Sequence, residues 1–355
     1  MSKYHLLLNS GEKKTIILDD LSLSKCVKIS NNYEDMMKLM RIGVNLPILP
    51  EFKKFILHDL KHFHAKSLVL IKSEFIKGHV LVYHRDNETL FFGYFGVLDD
   101  NQDEINSLVD VLIKYAKENN FKYLQGPINI PTIIYGWGFM EKGFERNIIV
   151  HKPVNSPIYN QIFKKWSFSE YSKDNSYEGY ITDFATVLLD IYDYNNYEII
   201  QFDNWGDIEK IKNKFLVLSA RNLQKKSVIT PDTGELFKNY FEFVKRYGDP
   251  FMFVFVKFKE TNDIVGCIFG IPNPFSEYKN SIRDSFVILS LVVDREHRNK
   301  GIGLFLIDYI LKKALEHNIQ YLATCIGSHV DVMINISKKY KANLSRIHTV
   351  YLKQL

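Results

Sequence analysis

The chain has 355 residues, 46% hydrophobic and 14% aromatic, enough for sizeable cores and a natural division into two domains. Its 46 basic and 41 acidic residues leave a net charge of only +5 with no dense Lys/Arg block, which gives no case for a nucleic-acid partner. Three cysteines, Cys26, Cys267 and Cys325, lie too far apart in sequence to form a metal spacing or an obvious disulfide set; no window is apolar enough to span a membrane, and the N-terminus lacks a signal-peptide core, so a reducing, cytoplasmic setting is expected. The abundance of Asn, Lys, Ile and Tyr fits an AT-rich bacterial genome.

In chain order, residues 1–30 read as a short strand pair around His-Leu-Leu-Leu and Thr-Ile-Ile-Leu, split by an Asn-Ser-Gly-Glu turn. Helices are predicted over Tyr33 to Ile42 and Glu51 to Phe63, separated by the Pro47 to Pro50 break. Strands follow at Ser67 to Ile71, Gly78 to His84 and Leu90 to Leu98. A helix spans Asp103 to Asn119, with Ile105, Leu108, Val109, Leu112 and Tyr115 on one face, and Lys122 to Leu124 leads into Gly126-Pro127. Residues 126–180 are dense in rings and turn residues: Tyr135, Trp137, Phe139, Phe144, Tyr159, Phe163, Trp166, Phe168, Tyr171, Tyr177 and Tyr180. They read as an ordered loop layer, either lining a groove or packing as core.

The second half repeats the order. Residues 181–200 look like a linker and an entering strand; helices cover Asp203 to Leu218 and Thr230 to Tyr247. Strands cover Pro250 to Phe258 and Ile264 to Ile271, joined by a hairpin turn at Glu260 to Asp263. Ser285 to Val293 is an apolar strand, Asp294 to Lys300 a polar loop, and Gly301 and Gly303 open a helix to Asn318 with Leu304, Ile307, Ile310, Leu311 and Leu315 on one face. Tyr321 to Ile326 is a strand, Val330 to Tyr340 a helix and Leu344 to Leu352 the last strand. A strand, a basic glycine loop and a helix N-terminus together suit phosphate: the first helical turn has unpaired N–H groups and the positive end of the dipole, glycine allows close approach, and Arg298 and Lys300 add charge.

This stretch resembles the GNAT acyltransferases, whose strand ends L-x-V before Arg/Gln-x-x-Gly-x-Gly/Ala at the head of a helix; Leu291 and Val293 match the strand, and Arg298, Gly301 and Gly303 the loop. The resemblance implies an α/β (α+β) fold of two tandem GNAT-like domains, each a mixed, mostly antiparallel sheet flanked by helices. The first domain would cover 1–185, with the aromatic-rich extension 126–180, and the second 186–355. It implies acetyl-CoA or another acyl-CoA as substrate, held by Leu291, Val292, Val293, Arg298, Asn299, Lys300, Gly301, Ile302 and Gly303. The acyl group would pass to an amine on a small molecule or peptide bound near the domain interface, with no metal and no membrane span. The first copy is degenerate at the matching place: Leu98 to Glu104 carries four carboxylates and no Lys, Arg or glycine pair, which opposes a pyrophosphate.

Residues Phe91 to Asp174 are further similar to a group of bacterial GNAT-like proteins with a Gly-Pro-x-Asn segment and a later Tyr-Asn pair, here Gly126 to Asn129 and Tyr159-Asn160. For proton transfer the resemblance directs attention to Tyr340, His329 and Asp284. The family's last-helix Asn and Tyr align with Val330 and Ser337, so the chain departs from the pattern there. Two other readings stay open: a non-catalytic acyl-CoA-binding sensor or scaffold, and a transferase with a long-chain acyl or aminoacyl donor.

Overall fold

The computed structural model describes residues 2–7, 13–18, 22–24, 27–43, 46–184, 195–222, 233–275, 285–327, 335, 337–338 and 340–355. They fall into two compact units, Met1–Asp174 with Arg346–Leu355, and Asn175–Ser345.

In the first unit, strands β1 (Ser2–Leu7), β2 (Lys13–Leu18), β3 (Ser22–Ser24) and β4 (Val27–Ser30) precede helices α1 (Tyr33–Gly43) and α2 (Lys53–His62). Then come β5 (Lys66–Lys72), β6 (Phe75–His84), β7 (Thr89–Val97), α3 (Gln102–Glu118) and β8 (Tyr123–Gly126). The sheet is antiparallel from β4 to β7, and β8 joins β7 in parallel. Alternation along β5 decides the two faces: Leu68 and Leu70 join Ile105, Leu108 and Leu112 of α3, while Val69 and Ile71 join Leu39 of α1.

The segment expected to be a loop layer is more regular than its turn residues indicate. It contains α4 (Thr132–Tyr135), β9 (Phe139–Lys142), α5 (Ile158–Lys165) and β10 (Ser169–Tyr180). Its rings mostly make core: Phe139, Tyr159, Phe163 and Phe168 pack with Phe92, Phe95 and Tyr351. Tyr171 and Tyr180 are exposed.

The division between the units differs from a single cut at 185/186. The terminal strand, Asn343–Gln354, pairs antiparallel with β8 from Tyr351↔Gly126 to Gln354↔Tyr123, and with β9 at Thr349↔Phe139. Those ladders place its residues from Arg346 onward in the first unit.

In the second unit, β11 (Tyr197–Gln201), α6 (Trp205–Asn222), α7 (Thr233–Tyr247), β12 (Phe253–Phe258) and β13 (Asp263–Pro272) lead to β14 (Ser285–Val293), α8 (Ile302–Glu316) and β15 (Tyr321–Gly327). The order β11-β12-β13-β14 is antiparallel, and β15 joins β14 in parallel. The run Phe253-Val254-Phe255-Val256 shows why both faces are covered. Its valines join Ile302, Leu306 and Ile310 of α8, and its phenylalanines meet Phe215 of α6 edge-on. The expected helix Val330 to Tyr340 lies mostly outside the described residues. Among the described residues, no helix is long and apolar enough to cross a membrane.

Candidate functional site

The site of the second unit begins with a strand that loses a neighbour. β14 stays paired with β13 from Pro272↔Phe286 to Gly266↔Val293, with one register shift beside Phe269/Gly270 that leaves Leu289 as an extra residue. On its other side it pairs with β15 only from Ser285↔Tyr321 to Ile288↔Thr324. Beyond Ile288, therefore, the far edge of β14 has no strand against it among the described residues. Leu291, Val292 and Val293 on that stretch are half-buried. An unpaired strand edge is a row of amide donors and acceptors ready for another extended chain.

The loop after β14 is held in place by its own backbone and by distant side chains. The Asp294 N–H donates to Val265 O at 2.8 Å, which ends the ladder. The Arg298 guanidinium donates from Nε to Val293 O at 3.1 Å and from Nη2 to Asn222 Oδ1 of α6 at 3.0 Å. His297 Nδ1 lies 2.9 Å from the Tyr197 hydroxyl, and Lys300 Nζ 5.7 Å from the Tyr197 ring centre. Asn299 and Gly301 take left-handed φ of 63° and 78°, the second a position glycine fills without strain. The Phe305 N–H then reaches Gly301 O at 3.0 Å, and α8 begins.

That helix start has no side-chain cap and no acidic residue in its first turn, while Ile302 is fully buried against Gly266. Its first amides are left to whatever approaches from the solvent side, with two cations close by in sequence. Gly303 keeps the approach open: a Cβ there would find only Leu291 Cδ2 at 3.9 Å and Val293 Cγ2 at 4.0 Å. These residues fit an anionic, amide-bearing ligand such as a pyrophosphate on a peptide-like arm.

The matching place in the first unit has the same skeleton but is filled. β7 pairs with β8 only from Thr89↔Tyr123 to Phe91↔Gln125, and its ladder with β6 shifts a few residues further on, between Gly93 and Gly96. Here the freed edge meets the chain's own groups. The Ile128 N–H donates to Phe92 O at 2.7 Å, the Tyr94 N–H to Asn129 Oδ1 at 2.7 Å, and the Val97 N–H to the Tyr159 hydroxyl at 3.0 Å. Gly93 permits the approach, because a Cβ would come within 2.2 Å of Ile128 O. The start of α3 is closed too: Asn101 Oδ1 accepts from the Asp103 and Glu104 N–H groups, both at 3.1 Å.

The nine residues predicted to bind the donor are thus brought together on β14, the loop and the first turn of α8. Of the three chosen for proton transfer, His329 and Asp284 lie outside the described residues. Tyr340 is buried, and its hydroxyl donates to Asp308 Oδ1 of α8 at 2.6 Å and to Leu304 O at 3.3 Å. Burial, reinforced by the bond to Asp308, pushes the Tyr340 phenol well above its ordinary value. Burial raises Asp308 as well, opposed by that bond. Sequence reasoning missed Asn222, Tyr197 and Asp308. The first two lie 76 and 100 residues from their partners, beyond any local pattern. Among the described residues, no group of three His, Cys, Asp or Glu is arranged to hold a metal.

The model of the acetyltransferase (GNAT) family matches residues 218–335. No curated protein matches the chain. Among solved structures the chain is similar to a tandem GNAT protein from the clavulanic acid biosynthesis pathway, at 11% identity and a TM-score of 0.57, covering 92% of this chain and 98% of that one. It is also similar to a GCN5-related N-acetyltransferase from Sphaerobacter thermophilus, at 10% identity and a TM-score of 0.53, covering 94% and 97%. A glucosamine N-acetyltransferase region of a fungal multi-domain enzyme gives 12% identity and a TM-score of 0.59, covering 94% of this chain and 39% of that one. At these identities the likeness speaks for the fold.

Proposed function

We propose, from the premise that this chain is a GNAT-superfamily protein with tandem domains whose residues 218–335 belong to the acetyltransferase (GNAT) family, that it is an acyl-CoA-dependent N-acyltransferase. One observation carries the reading: β14 is freed from β15 beyond Ile288, directly before an uncapped, glycine-bearing helix start.

On this reading the second unit holds the donor. The first-turn amides of α8, with Arg298 and Lys300, take the pyrophosphate. The open edge of Leu289 to Val293 takes the amides of the pantetheine arm. When bound, the donor supplies a thioester acyl group for attack by an amine: the N–C amide bond forms, the C–S bond breaks, CoA leaves as its thiolate, and the proton given up by the amine to solvent is balanced by one taken up by the thiolate. A backbone N–H on the free stretch of β14 polarises the acyl carbonyl, a role that needs no particular side chain. Tyr340 is given a packing role, because its proton is already committed to Asp308. The first unit binds no donor, since Ile128, Asn129, Tyr159 and Asn101 occupy the equivalent groups. Free, buried Cys267 suits a reducing, cytoplasmic setting.

The test is calorimetric titration of acetyl-CoA and a longer acyl-CoA into wild type and the Gly301→Glu, Gly303→Glu double variant, followed by free-CoA release with an amine panel. One equivalent bound, lost in the variant, together with amine-dependent release, is the expected result. Two equivalents would refute the assignment to one unit. Binding without release to any amine favours the acyl-CoA sensor, and no binding sinks the reading.

A further inference from the structure

The loop that opens α8 is gripped from the other face of the sheet. The valines of β12 face α8 and its phenylalanines face α6. Yet Asn222, the last residue of α6, accepts from Arg298 Nη2 at 3.0 Å. The Asn222 amide is fixed in the orientation this bond needs. Its Nδ2 donates to Leu218 O at 2.9 Å, one turn back, and Leu218 is itself buried. With the amide nitrogen committed to α6, the oxygen is left to face the loop.

The other end of the grip lies on the open edge of β14. The Asp294 N–H bonds Val265 O one step beyond the Gly266↔Val293 pair, so Val265 and Asp294 are the hydrogen-bonded kind of antiparallel pair. By alternation Val293 is the other kind. Its N–H and C=O turn away from β13, toward the side that β15 leaves uncovered. Arg298 Nε takes that carbonyl at 3.1 Å. The guanidinium therefore stands where the open edge ends and the loop to α8 begins. Two of its five N–H groups are used, which leaves three. Both of its holders are neutral oxygens, and among the described residues no carboxylate pairs with it. The charge is thus held in place without being neutralised. An Asp or Glu at the end of α6 would fix the side chain equally well but would cancel much of its attraction for an anion.

We infer that Asn222 is a positioning residue for the donor: it holds Arg298 across the end of the open edge, so that the remaining N–H groups of the guanidinium meet the pyrophosphate of acyl-CoA with their full charge. This inference rests on the acyl-CoA reading of the second unit. Without Asn222 the exposed Arg298 side chain keeps its rotamer freedom in the unbound protein and must lose it on binding.

The test measures the acetyl-CoA Kd by calorimetry, with a thermal melt of each sample. The full chain is compared as wild type, Asn222→Ala, Asn222→Asp, Arg298→Ala and the Asn222→Ala, Arg298→Ala double variant. The expected result is a Kd raised about tenfold in Asn222→Ala and at least as far in Asn222→Asp. Asn222→Asp keeps an acceptor for Arg298 and should melt no lower than Asn222→Ala, so its weaker binding reports lost charge rather than lost structure. The double variant should bind no worse than Arg298→Ala alone, because Asn222 acts through that side chain. If Asn222→Ala does not fold, the near-isosteric Asn222→Asp carries the comparison. Wild-type affinity in either Asn222 variant overturns the inference, and so do losses that add in the double variant, since those would come from α6 packing alone. Either outcome leaves the acyl-CoA reading standing, whereas absence of acetyl-CoA binding by wild type sinks that reading and this inference together.

Discussion

Gly303→Glu separates the fold of the candidate donor site from its use. The first side-chain carbon at this position meets only Leu291 Cδ2 at 3.9 Å and Val293 Cγ2 at 4.0 Å, ordinary contacts that strain nothing. Gly303 sits in the first turn of α8, where a carboxylate complements the helix dipole and an ordinary residue forms helix better than glycine, so stability should hold or rise by up to ~0.5–1 kcal/mol. The same carboxylate projects toward the half-buried end of β14 and, on the proposed reading, takes the amides and the space of the donor's phosphate. Displacing a phosphate from one charge-assisted amide bond costs about 1.5–3 kcal/mol, or roughly 10- to 100-fold in Kd. The assay pairs calorimetric titration of acetyl-CoA with a thermal melt of the same sample. An unchanged or higher Tm beside a Kd raised at least about tenfold supports the reasoning. A Kd within about twofold of wild type would refute it, since the site would then not run past Gly303.

Asn129→Ala should remove the acceptor of the Tyr94 N–H and the donor to Tyr135 O, destabilising the first unit by about 2–4 kcal/mol in urea melts while leaving the acetyl-CoA Kd unchanged. Tyr340→Phe should cost about 1–2 kcal/mol of stability and leave kcat near wild type; a kcat loss of about 100-fold would instead make this hydroxyl the proton donor to the thiolate. Asp174 gives a pH signature. Its pKa is about 7 in the fold against 3.8 when free, so the stability it contributes is full below about pH 3.8 and lost as pH rises through 7. His151 and His348, depressed from 6.5 to about 3, act with the opposite sign: their contribution is present above 6.5 and lost as pH falls toward 3. The difference in unfolding free energy between wild type and Asp174→Asn should therefore fall steadily from pH 4 to 7, and a flat difference would mean that Asp174 titrates normally.

The order of elements was legible because each carries its own period. Strands such as Phe253 to Phe258 alternate between two covered faces, and α3 and α8 repeat at three and four. The candidate donor loop stands out in the sequence for the same local reason: Leu291, Val293, Arg298, Gly301 and Gly303 fall within thirteen consecutive residues. What stayed hidden depends on meetings across the chain. Nothing near Asn222 announces that it will hold Arg298, and nothing near Tyr340 announces Asp308. The regular elements within 126–180 are hidden in the sequence because glycines and prolines surround α4 and β9, because β10 is mostly polar, and because a ring fitted to a core looks, in sequence, like one lining a groove. The Gly-Pro-x-Asn and Tyr-Asn residues were visible. Their structural work, taking up the free edge of β7, was not, because Asn129 and Tyr159 act on a strand some thirty to sixty residues earlier.

The terminal strand places a demand on biosynthesis. Residues from Arg346 onward pair with β8 and β9, strands synthesised about two hundred positions earlier. While the second unit is being made, the nascent first unit waits with the edge of β8 bare, a surface prone to pair with another chain. A stop codon near residue 345 would therefore spare most of the second unit and cripple the first, although the first contains none of the missing sequence's neighbours in the chain. For the same reason, expressing residues 1–174 alone should give an aggregating product, and supplying the last ten residues through a short linker after Asp174 offers a way to rescue it.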